Sequence, residues 1–120
     1  MRQFNRRIFN RLTLTFAGRY IYGVVEHVGR HSGKNYRTPV VAASIDDVFI
    51  IPLPYGSDTD WCMNTMAADG CTLKHRGHVY QVNAPMIMNA AVALPLLQPY
   101  WRFMFKRFGI ELYLRVKRTA

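Results

Sequence analysis

Cysteine, acidic residues and long apolar runs are all scarce in this sequence of 120 residues. Its two cysteines, Cys62 and Cys71, are too few for a disulfide framework and lack zinc-binding spacing, so we expect a reducing, cytoplasmic setting and no metal site. The longest apolar stretch, residues 84–97, contains two prolines and an asparagine and cannot span a bilayer. The first fifteen residues carry four arginines without an apolar core, so we expect no secretory signal peptide.

Positive charge is abundant and is concentrated at the two ends of the chain, within a net charge of +9. Residues 1–40 carry eight Lys and Arg against one Glu, and residues 101–120 carry six against one Glu. Residues 41–100 carry two against five Asp. This asymmetry favours an anionic partner, whether nucleic acid, lipid headgroups or a phosphorylated small molecule. Half of the residues are apolar, which excludes disorder, and the length suits one domain over residues 1–120.

The pattern of apolar residues predicts a small α+β or β-barrel domain. β-branched and aromatic residues, bounded by turn residues, predict six short strands. These strands cover residues 20–28, 37–44, 48–53, 71–75, 79–82 and 110–116. Gly23 is a candidate β-bulge in the first of them.

Three helical regions accompany these strands. Residues 2–17 form an amphipathic pattern of arginines and apolar residues, and a shorter helix is predicted at residues 61–68. Asp58 or Asp60 is expected to cap that shorter helix, and Gly70 to close it. Residues 89–108 are mostly helical, with interruptions at Pro95 and Pro99.

The segment from Gly29 to Pro39 (GRHSGKNYRTP) has the composition of an anion-binding turn. Its two glycines permit a tight turn with exposed N–H groups, and a serine hydroxyl and three cations surround them. Such groups bind phosphate or carboxylate, although an ordinary basic hairpin loop explains them equally well. The spacing matches neither a Walker P-loop nor a serine nucleophile elbow.

A second cluster combines Tyr55 and Gly56 with the start of the predicted helix at Asp60. Trp61 and Asn64 stand three residues apart, so one helical face carries an indole and an amide. A ring-binding pocket could use this mixture. On spacing alone, a core-facing helix with Asn64 bonded to a nearby loop is favoured. All four histidines are interpreted as surface or structural residues.

Taken together, the runs GRHSGKNYRTPV, IPLPYG and DWCMNTMAADG resemble the deazaflavin-dependent nitroreductase family. Members of that family are small split β-barrel oxidoreductases that bind reduced coenzyme F420, an 8-hydroxy-5-deazaflavin. The match covers residues 25–82, about half of the chain. The resemblance therefore implies a split β-barrel of five to six mostly antiparallel strands and an F420-dependent oxidoreductase.

The resemblance also implies a cofactor site. Its residues would be Arg30, His31, Ser32, Gly33, Lys34, Arg37, Thr38, Pro39, Tyr55, Gly56, Trp61 and Asn64. The phosphate and polyglutamate tail of F420 would be held by Arg30, Ser32, Gly33, Lys34 and Arg37. Thr38 and Pro39 would begin the strand beneath the ring, and the Tyr55–Gly56 loop and the Trp61–Asn64 helix would close around the phosphate linker and ring edge. At His31 the family often has Lys or Arg, so one contact to the tail is expected to be weaker.

F420 implies hydride transfer in one two-electron step to a quinone-like, nitro or enone acceptor. The catalytic residues are unassigned. Tyr55, Tyr100 and Tyr113 are candidate proton donors, although packing explains each of them better.

Other functions stay open at this point. FMN is an alternative cofactor, because split barrels also bind it. A nucleic-acid-binding module would suit the basic composition, but no nucleic-acid motif is present. Residues 1–17 are also compatible with a lipid- or quinone-binding protein at the inner face of the membrane, and a homodimer is a further expectation.

Overall fold

A seven-stranded antiparallel sheet forms the framework of residues 22–119, the part of the chain that this computed structural model describes. The strands are β1 (Tyr22–Val28), β2 (Asn35–Val41), β3 (Ala43–Ile45), β4 (Val48–Pro52), β5 (Gly70–His75), β6 (His78–Asn89) and β7 (Leu112–Arg118). The helices are α1 (Asp60–Ala68), α2 (Ala90–Ala93) and α3 (Pro99–Arg107), with a 3₁₀ turn at Leu94–Leu96. The helix expected over residues 2–17 lies outside the described residues.

The strand order makes the sheet curl into a half-barrel. Its order is β2-β1-β5-β6-β7-β4-β3, so β2 and β3 form the two edges. A single residue, Ala42, connects these edge strands along the chain. Because one residue spans only about 3.5 Å, the two edges must lie close together, and β2 also contacts β4. The predicted α+β split-barrel architecture is confirmed.

Apolar side chains pack in separate clusters on the two faces of this sheet, since successive residues in a strand point to opposite sides. The interior cluster lies inside the curl, and its buried members are Val25, Val40, Ala42, Phe49, Ile51, Leu53, Cys62, Leu73, Val82, Leu114 and Val116. The exterior cluster packs beneath α2 and α3, and its buried members are Val41, Ala43, Ile50, Met88, Ala93, Leu97, Phe105, Ile110 and Tyr113. Neighbours such as Ile50 and Ile51 therefore anchor different layers of the fold.

The strands differ from the prediction at two places in the first half of the sheet. The run over residues 37–44 divides at Ala42, which raises the number of described strands from six to seven. The expected bulge at Gly23 is wrong, since Gly23 pairs in continuous register with both Val40 and His75. A Cβ at Gly23 would lie 3.1 Å from the backbone oxygen of Lys74, so the close approach of β5 explains the glycine.

Strand β6 is much longer than predicted and takes in the start of the expected helical region. It continues through Pro85 to Asn89, with a register shift between Asn83 and Met86. Ala84 has a φ of +53° at this irregularity, and Pro85, which lacks an N–H, is tolerated because the strand pairing is interrupted there. The predicted interruption at Pro99 is confirmed, since Pro99 starts α3 at a position that needs no N–H donor.

The expected caps of α1 are also corrected. Thr59 occupies the N-cap position without a side-chain hydrogen bond, and Asp60 is the first helical residue. At the other end, Asp69 is the C-cap in the left-handed region with a φ of +56°, and Gly70 already begins β5. Over residues 22–119, no helix has the length and hydropathy that a membrane span requires.

Candidate functional site

A cavity of about 820 Å³ opens between the β1–β2 turn, β2, the loop after β4 and the start of α1. Most of the residues that the sequence predicted for a cofactor site line it. These are Arg30, His31, Ser32, Arg37, Thr38, Pro39, Tyr55, Gly56, Trp61 and Asn64. Gly33 and Lys34 lie on the exposed turn and do not line the cavity. The fold thus brings together ten of the twelve predicted residues, and their role in binding stays a prediction.

The β1–β2 turn is held by hydrogen bonds within its own backbone. The N–H of Gly29 donates to the carbonyl of Lys34 at 2.8 Å, and that of Gly33 donates to the carbonyl of Gly29 at 2.9 Å. The Ser32 hydroxyl oxygen accepts the N–H of Lys34 at 3.2 Å and lies 3.3 Å from the Tyr36 hydroxyl. Gly33 has a φ of +73°, which a glycine adopts without strain. The turn is therefore a preformed structure.

Substituting Gly29→Ala is expected to lower the free energy of unfolding by about 1 kcal/mol, the low end of the range for overpacking, because the side chains that must move are exposed. A Cβ at Gly29 would lie 2.6 Å from the Ser32 hydroxyl oxygen and 2.9 Å from the Tyr36 ring. Chemical denaturation measures the effect. The double substitution Gly29→Ala/Ser32→Ala removes one clash and should recover part of the loss. Unchanged stability in Gly29→Ala would show that the turn is loose.

Arg30 joins this turn to α1 through Asn64. The Asn64 side-chain oxygen accepts both the backbone N–H of Arg30, at 3.0 Å, and its Nη1, at 2.7 Å. Arg30 Nη2 lies 3.3 Å from the carboxylate of Asp60. Asn64 is 3% exposed, and the Arg30 side chain is 23% exposed. Asn64 is thus bonded to a nearby loop, as its spacing favoured, while Trp61 is half-buried against the interior cluster.

His27 is a residue of this site that the sequence did not single out. It is 6% exposed and lines the cavity. Its Nδ1 lies 3.0 Å from Asn64 Nδ2, and its Nε2 lies 3.0 Å from the Thr38 hydroxyl. The imidazole also stacks on Tyr36 with a centroid distance of 5.7 Å. Burial lowers the pKa of His27 below its ordinary value, and the Asp60 carboxylate opposes this in part. Counting hairpin pairs outward from the turn would have placed His27 opposite Tyr36.

The cations around the turn differ in how far they are already paired. Glu26 accepts Arg37 Nε at 3.5 Å and Lys74 Nζ at 3.0 Å, so one carboxylate serves two cations. Arg30 is paired with Asp60. Lys34 forms no ion pair among residues 22–119. An anion at this turn would therefore meet a positively charged surface that its own acids neutralise only in part.

The three tyrosines named as candidate proton donors lie in different environments. Tyr55 lines the cavity. Tyr113 is fully buried in the exterior cluster, donates to the carbonyl of Ile110 at 2.9 Å, and has its pKa raised by burial to about 12. Tyr100 is exposed on α3 against Trp101. Tyr113 therefore has a packing role, and neither Tyr113 nor Tyr100 lines the cavity.

Solved structures with the same fold include F420 reductases. One is an F420-H2 dependent reductase (FDR-A), with a TM-score of 0.54 and 15% identity over 80% of this chain and 93% of that chain. Another is an F420 reductase, with a TM-score of 0.57 and 13% identity over 88% and 92% of the two chains. A third is a domain-swapped dimer, with a TM-score of 0.58 and 13% identity over 96% and 98%.

By sequence, no protein-family model and no curated protein matches this chain. At identities of 13–15%, the likeness to these structures establishes the fold. The resemblance to F420-dependent reductases, first seen in short sequence motifs, is confirmed by these structural neighbours.

Proposed function

We propose that this protein is an F420H2-dependent reductase, which transfers a hydride from the reduced deazaflavin to a quinone-like, nitro or enone acceptor. One observation carries the proposal: ten residues chosen from the sequence for a deazaflavin site line a single cavity. Solved F420 reductases with the same fold support it.

The residues present fit a planar cofactor with an anionic tail. A volume of about 820 Å³ is within the usual range for cofactor pockets. Val40, Leu53 and Trp61 supply apolar wall, whereas Arg30 and Arg37 lie at the turn end of the cavity. Lys34, on the exposed turn, would contact tail carboxylates outside the cavity. This division of apolar and cationic groups would hold a ring at one end and a phosphate with its tail at the other.

The division of labour between cofactor and chain follows from this fit. When bound, the reduced deazaflavin supplies a hydride as a two-electron donor. The chain would bind the anionic end through Arg30, Arg37 and Lys34, orient the ring against the apolar wall, and exclude water from it. Tyr55 is the one of the three candidate donor tyrosines that lines the cavity.

Finer expectations about assembly and location belong to this proposal. The domain-swapped dimer among the similar structures supports a homodimer for this chain. Contact of residues 1–17 with a membrane surface stays a prediction, since those residues lie outside the described part of the chain.

A fluorescence titration with F420 and FMN side by side tests the cofactor. We expect saturable quenching of F420 with micromolar or tighter affinity, and weaker binding of FMN. Saturable binding of FMN alone would assign the site to FMN. Binding of neither cofactor would overturn the proposed function.

Neutralising the cations of the turn tests the tail site within the same titration. Lys34→Ala and Arg37→Ala should each weaken F420 binding by roughly ten- to a hundredfold, since a hydrogen bond to a charged group is worth about 1.5–3 kcal/mol. The affinity should also fall with added salt. Lys106→Ala is the matched control, because Lys106 is an exposed lysine of α3 away from the cavity. If Arg37→Ala binds F420 as the wild type does, the role of Arg37 is limited to its ion pair with Glu26.

A further inference from the structure

Four residues that line the cavity are joined by successive hydrogen bonds, and the series ends at a hydroxyl. It runs from Arg30 through Asn64 and His27 to Thr38, and each link is a hydrogen bond of 2.7–3.0 Å. Three separate parts of the fold contribute to it: the β1–β2 turn, α1, and the paired strands β1 and β2. The two donors of Arg30 determine which atom donates and which accepts in each of the other hydrogen bonds.

The amide of Asn64 has only one orientation that satisfies its neighbours. Arg30 presents two donors to it, a backbone N–H and a guanidinium N–H, and neither group can accept. The atom that faces Arg30 is therefore the amide oxygen. The amide nitrogen must then face His27, and it donates to His27 Nδ1.

This donation determines the tautomer of His27. A ring nitrogen that accepts a hydrogen bond carries no proton, so the proton of the neutral imidazole lies on Nε2. Burial of the ring, which lowers its pKa, favours this neutral form. The Asp60 carboxylate, which opposes this effect in part, is itself paired with Arg30 of the turn. His27 Nε2–H therefore donates to the hydroxyl oxygen of Thr38.

A threonine hydroxyl has one proton to donate and two lone pairs to accept with. Because Thr38 accepts from His27, its own proton is left to point elsewhere. Among residues 22–119, the hydrogen bond from His27 is the only one that the Thr38 hydroxyl makes. Thr38 lines the cavity.

We propose that Thr38 donates a hydrogen bond to the bound ligand, with a proton that Arg30, Asn64 and His27 leave free. The ligand atom that takes this proton is an acceptor, such as a carbonyl or an anionic oxygen. The inference rests on the proposed function only in taking F420 as the ligand. Asn64 and His27 are positioning residues, which act through Thr38.

The tautomer is tested first, on the ligand-free protein. Ring-nitrogen chemical shifts of His27 in isotope-labelled protein should show Nε2 protonated and Nδ1 unprotonated near neutral pH. In Asn64→Asp, the carboxylate still accepts from Arg30 but must accept from His27 as well, so Nδ1 should become protonated. Protonated Nδ1 in the wild-type protein would overturn the assigned direction of these hydrogen bonds.

The donor role is tested by F420 titration of Thr38 variants. Thr38→Val, of nearly the same shape, should bind F420 at least about tenfold more weakly, whereas Thr38→Ser should stay within about threefold of the wild type. Equal binding by Thr38→Val would overturn the donor role while leaving the proposed function intact. If Thr38→Val does not fold, Thr38→Ala carries the test: it too should lose at least about tenfold in affinity, and unchanged binding would overturn the donor role. A wild-type protein that binds neither F420 nor FMN would overturn the proposed function and the ligand role of Thr38. The ring-nitrogen chemical shifts of His27 would still decide whether the hydrogen bonds run in the direction from Arg30 to Thr38.

Discussion

Substituting Arg30→Lys is expected to weaken F420 binding by roughly ten- to a hundredfold, although the charge is unchanged. A guanidinium donates to Asn64 and Asp60 from two nitrogens of one rigid plane, at 2.7 and 3.3 Å. A lysine ammonium is a point charge and cannot reproduce this fork. The bond to the buried Asn64 accounts for most of the effect, because the Asp60 carboxylate is exposed and its ion pair contributes little.

Fluorescence titration of Arg30→Lys and Arg30→Met together separates geometry from charge. If the two-nitrogen geometry of the guanidinium is required, both variants should bind F420 about equally poorly. If only charge matters, Arg30→Lys binds like the wild type, and that result would contradict the anchoring role of Arg30. Arg107→Lys is the matched control, since Arg107 ends α3 on the exposed surface.

Truncation of Phe49 to alanine should give the largest loss of stability, about 3–5 kcal/mol in the free energy of unfolding. Phe49 is 1% exposed at the centre of the interior cluster. Its ring contacts those of His75 and Tyr80, with centroid distances of 5.4 and 5.1 Å. The substitution removes buried apolar surface and leaves a cavity that the curled sheet cannot easily close.

Phe103→Ala removes the same atoms from a side chain that is 72% exposed on α3. Denaturant unfolding of both variants should show a change within about 0.5 kcal/mol for Phe103→Ala. Comparable losses in the two variants would mean that Phe49 is not a core residue of the folded protein in solution.

Local sequence patterns predicted those elements of the fold whose apolar residues recur on one buried face. The alternation of apolar residues from Ile110 to Val116 predicted β7, because Leu112, Leu114 and Val116 share the face that packs in the interior cluster. The extension of β6 through Pro85 was missed, since proline usually ends a strand and a bulge is visible only in the pairing. The division at Ala42 was missed for a similar reason: residues 37–44 are uniformly strand-like, and only the sheet order separates them.

The candidate site was predictable as a set of residues but not as a network. Motifs in the turn and in α1 selected ten residues that the fold does bring together. His27 was missed because its partners lie 11 and 37 residues away, at Thr38 and Asn64. The resemblance could not show that the Asn64 side-chain oxygen accepts hydrogen bonds from Arg30, since that depends on the distance between the turn and α1.

The one-residue connection at Ala42 has a consequence for the thermodynamics of ligand binding. Ala42 is fully buried and covalently ties together the two edges of the sheet, directly beside Val40 in the cavity wall. That wall cannot swing open without breaking strand pairing or uncovering the core. A ligand therefore meets a surface whose backbone entropy was already lost in folding, and little more is lost on binding. Affinity at this site should depend chiefly on the match between ligand and wall.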